Sequence, residues 1–170
     1  MRIPKSMMAV LVILSLAVWL PAQARGMAEA TIGGKSIKVE YGRPNLQGRG
    51  NPQGDLAVGN VWRLGMNQAT ELHSQADLKF GDVEVAAGDY SLFAKKVAAE
   101  EWHLLVNEQT GQWGTQHDPS KDIAEIPMTL KSVSPQVEKF TIEIEGTGDS
   151  SGTFSFSWGS SALTVDFTVQ

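Results

Sequence analysis

Three arginines stand close together in a chain that otherwise turns to lysine: Arg43, Arg49 and Arg63. A guanidinium offers a rigid planar fork of donors that matches carboxylate and phosphate oxygens, whereas lysine is a flexible point charge. Between Tyr41 and Asn67 the only acid is Asp55, so this Gly/Pro-rich stretch is a positive island in an acidic protein. Arg43, Arg49, Arg63 and Asn67 read as a polar grip that converges on one small anion, with Tyr41 and Trp62 as flat walls. The competing structural reading has the same side chains stacking on aromatics, tying down loop carbonyls, or pairing with Asp55, Glu40 or Glu71. An unpaired buried guanidinium is too costly to keep, so any buried one does one or the other.

Thr70-Glu71-Leu72-His73 is the second constellation. On a strand, Glu71 and His73 share a face, which sets a carboxylate beside an imidazole for acid–base work or for two metal ligands. His103 and His117-Asp118 are further donors, but the histidines have no recognised ligand spacing, and no metal or other cofactor is expected. Nucleophile elbows, Ser-x-x-Lys pairs, P-loops and dinucleotide fingerprints are missing from the sequence. Ser91 lies between apolar neighbours and reads as structural. Glutamates 71, 84, 100, 101 and 125 would suit glycoside hydrolysis only as a pair roughly 5–10 Å apart in a cleft. Trp62, Trp102 and Trp113 raise a sugar-stacking reading. Trp102 and Trp158 fit core patterns, and Trp113 is the surface candidate.

The elements that must position these groups are strands. Ile37, Val39 and Tyr41 alternate along one face, and Gly33-Gly34 marks a hairpin with Ala30-Thr31-Ile32. Gly81-Asp82 joins Leu78-Lys79-Phe80 to Val83-Glu84-Val85 in another hairpin. Tyr90–Ala94 and Trp102–Asn107 follow, the latter apolar on both faces. Phe140/Ile142/Ile144, Phe154/Phe156/Trp158 and Leu163/Val165/Phe167/Val169 form a meander with turns at Gly146–Asp149 and Gly159-Ser160-Ser161. Helical periodicity is never sustained. The expectation is about nine strands in an all-β antiparallel sandwich, with two long ordered loops, 42–66 and 108–122.

At the N-terminus, Arg2 and Lys5 precede an apolar run from Met7 to Leu20, and Pro21-Ala22-Gln23-Ala24 ends in a small-x-small pattern. Residues 1–24 read as a secretory signal cleaved after Ala24, since the run is shorter than the ~20 residues that span a bilayer. The expected location is periplasmic or secreted. Residues 25–170 then form one domain, with no transmembrane segment. It keeps 12 of the 14 basic residues and all 19 acids, a formal charge of −7, which argues against nucleic acid as a partner. The chain has no cysteine, which removes thiol catalysis and thiolate metal sites.

Further motifs run through the chain: Tyr41-x-Arg43-Pro44, Gly48-Arg49, Val61-Trp62-Arg63-x-Gly65-x-Asn67-x-Ala69-Thr70, Ala87-Gly88-x-Tyr90-Ser91-Leu92-Phe93, Trp102-x-Leu104-x-Val106-Asn107 and Gln112-Trp113-Gly114. Together they resemble a bacterial family known as domain of unknown function 2911, over roughly residues 30–170. The polar run Gly50-Asn51-Pro52-Gln53-Gly54 departs from the family's usual apolar residues, as does His73. The resemblance implies an exported all-β fold and supplies no activity. The leading functional expectation is a non-catalytic module that binds a small anionic or sugar-like ligand. The alternatives are an envelope hydrolase using Glu71 and His73, and a structural or interaction protein with an unidentified partner.

Overall fold

A computed structural model describes residues 25–49 and 52–170; the expected signal sequence, 1–24, and the Gly50-Asn51 pair lie outside the described residues. The protein is all-β and antiparallel throughout. Its strands are β1 (Gly26–Ile32), β2 (Lys35–Tyr41), β3 (Val61–Trp62), β4 (Thr70–Ser74), β5 (Leu78–Phe80), β6 (Val83–Val85), β7 (Gly88–Lys96), β8 (Trp102–Asn107), β9 (Asp122–Gly148) and β10 (Ser151–Val169). A short 3-10 turn, Pro119–Lys121, precedes β9. Hydrogen bonding runs in one path, β1-β2-β4-β7-β8-β9-β10-β5-β6, with β3 on β7.

The β1–β2 hairpin turns on Gly33 and Gly34, both at positive φ (59° and 75°), a geometry that glycine adopts without a Cβ penalty. Its partner alternation holds: Ile37, Val39 and Tyr41 are buried and the residues between them are not. β10 is long by strand geometry but not straight. Val169 N–H donates to the Ser150 carbonyl at 2.7 Å, although an extended strand would hold residues so far apart in sequence about 60 Å from one another. Thr153 Oγ1 likewise donates to Asp166 Oδ1 at 2.6 Å. The chain therefore reverses at Gly159 (φ 63°), where the sequence places a turn, and the two arms of β10 lie side by side.

The first part of β9 is what the sequence hides. It pairs with β8, from Asp122 to Met128, and buries Ala124, Ile126 and Met128. Pro127 sits opposite His103 in this stretch and breaks the strand pattern to the eye. It is tolerated because between Asp122 and Met128 the strand's other side carries no ladder. Further on, β9 pairs with β10 twice, Leu130 with Leu163 and Ile142 with Phe156, with a register shift between.

One large core joins the faces: Ile37, Val39, Leu72, Leu92 and Leu104 on one side, Phe140, Phe154, Phe156, Trp158 and Phe167 on the other. Full burial of side chains this size contributes about 1.5–3 kcal/mol each. The far edges are stitched by polar contacts. Tyr41 Oη accepts from Ile142 N–H at 3.0 Å, and Phe140 N–H donates to the Pro44 carbonyl at 2.9 Å. Leu46 N–H donates to the Glu138 carbonyl at 2.6 Å.

Two measurements follow from these contacts. Tyr41→Phe leaves the Ile142 N–H without that acceptor inside the core and is expected to cost about 1–3 kcal/mol in urea unfolding; an unchanged midpoint would show that the hydroxyl ties nothing. The second concerns Glu125 on the exposed face, which accepts from His103 Nδ1 (2.9 Å) and Lys95 Nζ (3.3 Å). Burial opposes its charge, but those two donors outweigh it and hold the carboxyl below its usual range. A depressed folded pKa gives stability that is present above the unfolded pKa and lost as pH falls through the folded one. The melting temperature should thus decline as pH drops below the ordinary carboxylate range, and Glu125→Gln should flatten that decline. The side chain is 43% exposed, so the effect stays under about 1 kcal/mol.

Candidate functional site

β7 and β8 are buried on both faces. Leu92, Ala94, Leu104 and Val106 enter the main core, while Phe93 and Leu105 point the other way and form a second small cluster with Ala69, against which Val61 packs. The second cluster needs a cover, and the two long loops supply it. Ala69 N–H donates to the Gln112 carbonyl (3.0 Å) and Gly114 N–H to the Asn67 carbonyl (2.7 Å). Gln68 and Trp113 form an isolated bridge between them. Beneath this seam the Gln112 amide, buried, donates to Ser91 Oγ at 2.8 Å.

The backbone is strained where this seam begins. Leu64 (φ 46°) and Asn67 (φ 64°) are left-handed, which costs a non-glycine residue of order 1–3 kcal/mol. Leu64 is held there by complete burial and by Thr70 Oγ1, which donates to its carbonyl at 2.6 Å. Gly114 permits the close approach: a Cβ added there would lie 2.7 Å from Arg63 Cδ.

The three clustered arginines have different partners. Arg43 donates from Nε to the Phe140 carbonyl (3.1 Å) and from a terminal nitrogen to Thr141 Oγ1 (2.9 Å), and its guanidinium carbon lies 6.0 Å from the Tyr41 ring. Arg49 donates to the carbonyls of Leu46 (3.1 Å) and Asn45 (2.7 Å) and lies 5.1 Å from the Trp158 ring. Trp62 stacks on Trp158, centroids 6.0 Å apart and planes 12° from parallel. Arg63 alone among the described arginines makes no hydrogen bond or ion pair. It is half-buried and lines a cleft of about 390 Å³ with Leu56, Trp62, Phe93, Thr115 and His117. Asn67 and Trp113 are exposed at the nearby seam.

His117, which the sequence marks only as a further donor beside Asp118, lines the same cleft. Its Nε2 faces both oxygens of Asp122, at 2.9 and 3.0 Å, and its ring lies 4.5 Å from that of Phe93. Asp122 also accepts from Asn107 Nδ2 at 2.8 Å, and Asn107 is fully buried. A five-residue spacing between a loop and a strand start carries no motif, so the pairing is invisible until the 3-10 turn brings the two together. Asp118 caps that turn, accepting from Ser120 through hydroxyl and N–H, and this holds its carboxyl below the usual range.

Glu71 and His73 share the outer face of β4, as the strand period requires. Each has its own partner: Glu71 accepts from Gly111 N–H (2.7 Å) and His73 contacts Asp89 (2.7 Å). Lys96, unremarked in the sequence, is buried at 6% exposure. Its ammonium donates to the Gly54 and Leu56 carbonyls, both at 2.8 Å, and so fixes the loop that brings Leu56 to the cleft. Among the described residues, none is grouped with others in a way that could hold a metal ion, and no helix is long and apolar enough to cross a membrane.

A family model described as "Protein of unknown function (DUF2911)" matches residues 23–167. Neither a curated protein nor a solved structure matches the chain.

The partner sets separate the arginines by experiment. Arg43→Ala removes two hydrogen bonds to β9 and is expected to cost about 1–3 kcal/mol of unfolding free energy. Arg63→Ala removes none, and its cost should stay under about 1 kcal/mol, the part due to its packed stem. Equal losses in chemical denaturation would make Arg63 another loop staple.

Proposed function

The chain belongs to the DUF2911 family, whose description states no activity, and from the geometry we propose that it binds a small anionic ligand in the cleft beside Arg63. The observation that carries this reading is Arg63 itself: a half-buried residue whose guanidinium has no hydrogen-bond or ion-pair partner among the described residues and which lines an apolar-walled cleft. An anion in the cleft gives that fork the partner it lacks, on a loop whose backbone is held left-handed at Leu64 and Asn67. Trp62 and Leu56 supply apolar surface for the ligand's body, and the exposed Trp113 extends it toward a sugar-like group. In this reading Arg43, Arg49 and Tyr41 brace the loop wall from behind, and Asn67 shapes it. The two halves of the sheet, joined through β9, act as the layers of a sandwich whose rim carries the site. The basic start, apolar run and Ala24 boundary support export to the periplasm or beyond, where an acidic, cysteine-free domain is at home.

Thermal shift of the purified protein against short carboxylates, inorganic phosphate, sulfate and simple sugars is the test. A ligand at ~100 times its Kd adds ~2.7 kcal/mol, which raises the melting temperature of a domain this size by roughly 5–10 °C. Arg63→Lys keeps the charge but loses the fork, and affinity should fall by about tenfold, ~1.4 kcal/mol. A shift of the same size in both proteins would overturn the role of Arg63, and no shift with any probe would overturn the reading.

A further inference from the structure

We infer that His117 is a general base in this cleft and that the protein hydrolyses small carboxylic esters there, an inference that rests on the cleft being the ligand site. The imidazole is fixed on three sides. Asp122 takes Nε2 with both oxygens, Asn107 holds Asp122 from within the core, and the Phe93 ring packs against the imidazole. An ionised carboxylate only accepts, so Nε2 carries the proton and Nδ1 the lone pair. Among the described residues Nδ1 has no hydrogen-bond partner, and it is not one of the polar atoms sealed from solvent. It is therefore a basic nitrogen that is oriented, accessible and unused.

The other two histidines lack this combination. His103 has both ring nitrogens engaged, by Glu125 (2.9 Å) and Glu101 (3.3 Å). His73 contacts Asp89 on a half-exposed strand face, outside the cleft. His117, by contrast, shares its cleft with Arg63, a cation without a partner among the described residues. A base beside a free guanidinium is what attack of water on an acyl carbon needs. Nδ1 takes a proton as the water oxygen bonds to the carbonyl carbon, and Arg63 holds the oxyanion that forms. Collapse of that intermediate breaks the bond to the leaving oxygen, and the imidazolium returns its proton to the departing alkoxide. Ester and water become acid and alcohol, with no oxidant or further reactant. One cation matches the single charge of an acyl oxyanion. A phosphate dianion would leave negative charge uncompensated beside Asp118 and Asp122. Trp62 and Leu56 offer apolar surface for the acyl or alcohol group.

The experiment follows hydrolysis of p-nitrophenyl acetate, butyrate and hexanoate by the purified protein, with thermal shift by the matching free carboxylates on the same samples. Turnover above buffer that falls by at least about 100-fold in His117→Gln, with the carboxylate shift kept, is the expected result. Asp122→Asn should lower kcat with KM little changed, because it disturbs the base and not the grip. A carboxylate shift without turnover would overturn the base and leave the binding reading standing; absence of both would overturn both. Turnover undiminished in His117→Gln would also overturn it. Should that variant not fold, diethyl pyrocarbonate is applied to a protein carrying His73→Ala and His103→Ala. Acylation of the remaining histidine should abolish turnover and hydroxylamine should restore it, and turnover that survives acylation would again overturn the inference.

Discussion

Burying both faces of β7 and β8 is the constraint from which the rest of the molecule follows. A strand apolar on one side needs only the main core. Phe93 and Leu105 point away from that core and are still almost wholly buried. Something must cover them, and since the described residues contain no helix layer the cover is loop. Loop backbone carries polar groups that need partners wherever water is excluded. Here the two loops satisfy one another through Asn67–Gly114 and Ala69–Gln112, and the cleft is the space left at the end of that seam.

The arginines illustrate how position rather than residue type decides a charge's fate. Arg43 and Arg49 lie where the chain after β2 meets β9, among carbonyls that need donors. Their forks close that junction. Arg63 follows β3 by one residue, on the side of the sheet where the cover is made of side chains and glycine rather than free carbonyls. The buried Lys96 does for the 52–60 segment what the first two arginines do for 44–49, with its ammonium shared by two carbonyls and set 5.7 Å from the Trp102 ring. Three cations thus hold loops in place, and a fourth is left over.

Much of the sheet was legible because period two and glycine turns are local signals. Ile37/Val39/Tyr41, the Gly81-Asp82 turn and the reversal at Gly159 needed nothing beyond their own neighbours. The first part of β9 was not, because Pro127 interrupts a pattern that only an unpaired strand side forgives. The two long loops were legible as loops, save that Val61-Trp62 inside the first forms β3 on β7, and their seam was not: Asn67 and Gly114 carry no complementary signal, and their pairing follows from what they jointly cover. For the same reason Arg63 and Trp62 could be singled out by type, while His117–Asp122 could not. An imidazole with a carboxylate five residues on is unremarkable until a 3-10 turn folds one back on the other. Glu71 and His73 show the converse. Their shared face was correctly foreseen from strand period, yet the groups each meets come from distant segments.

The contacts that stitch Tyr41 and Arg43 to β9 join residues about a hundred positions apart, Tyr41 to Ile142 and Arg43 to Thr141. During synthesis the β1–β2 hairpin emerges long before its final neighbour exists, and closing so distant a contact is slow in chain-entropy terms. The local hairpins can form early, but these contacts to β9 wait for the last third of the chain. A protein built this way stays open-edged while it is being made, and its exposed strands are hazards for wrong pairing in that interval. Late closure therefore sets the order of assembly: the N-terminal edge is completed only by the last third of the chain.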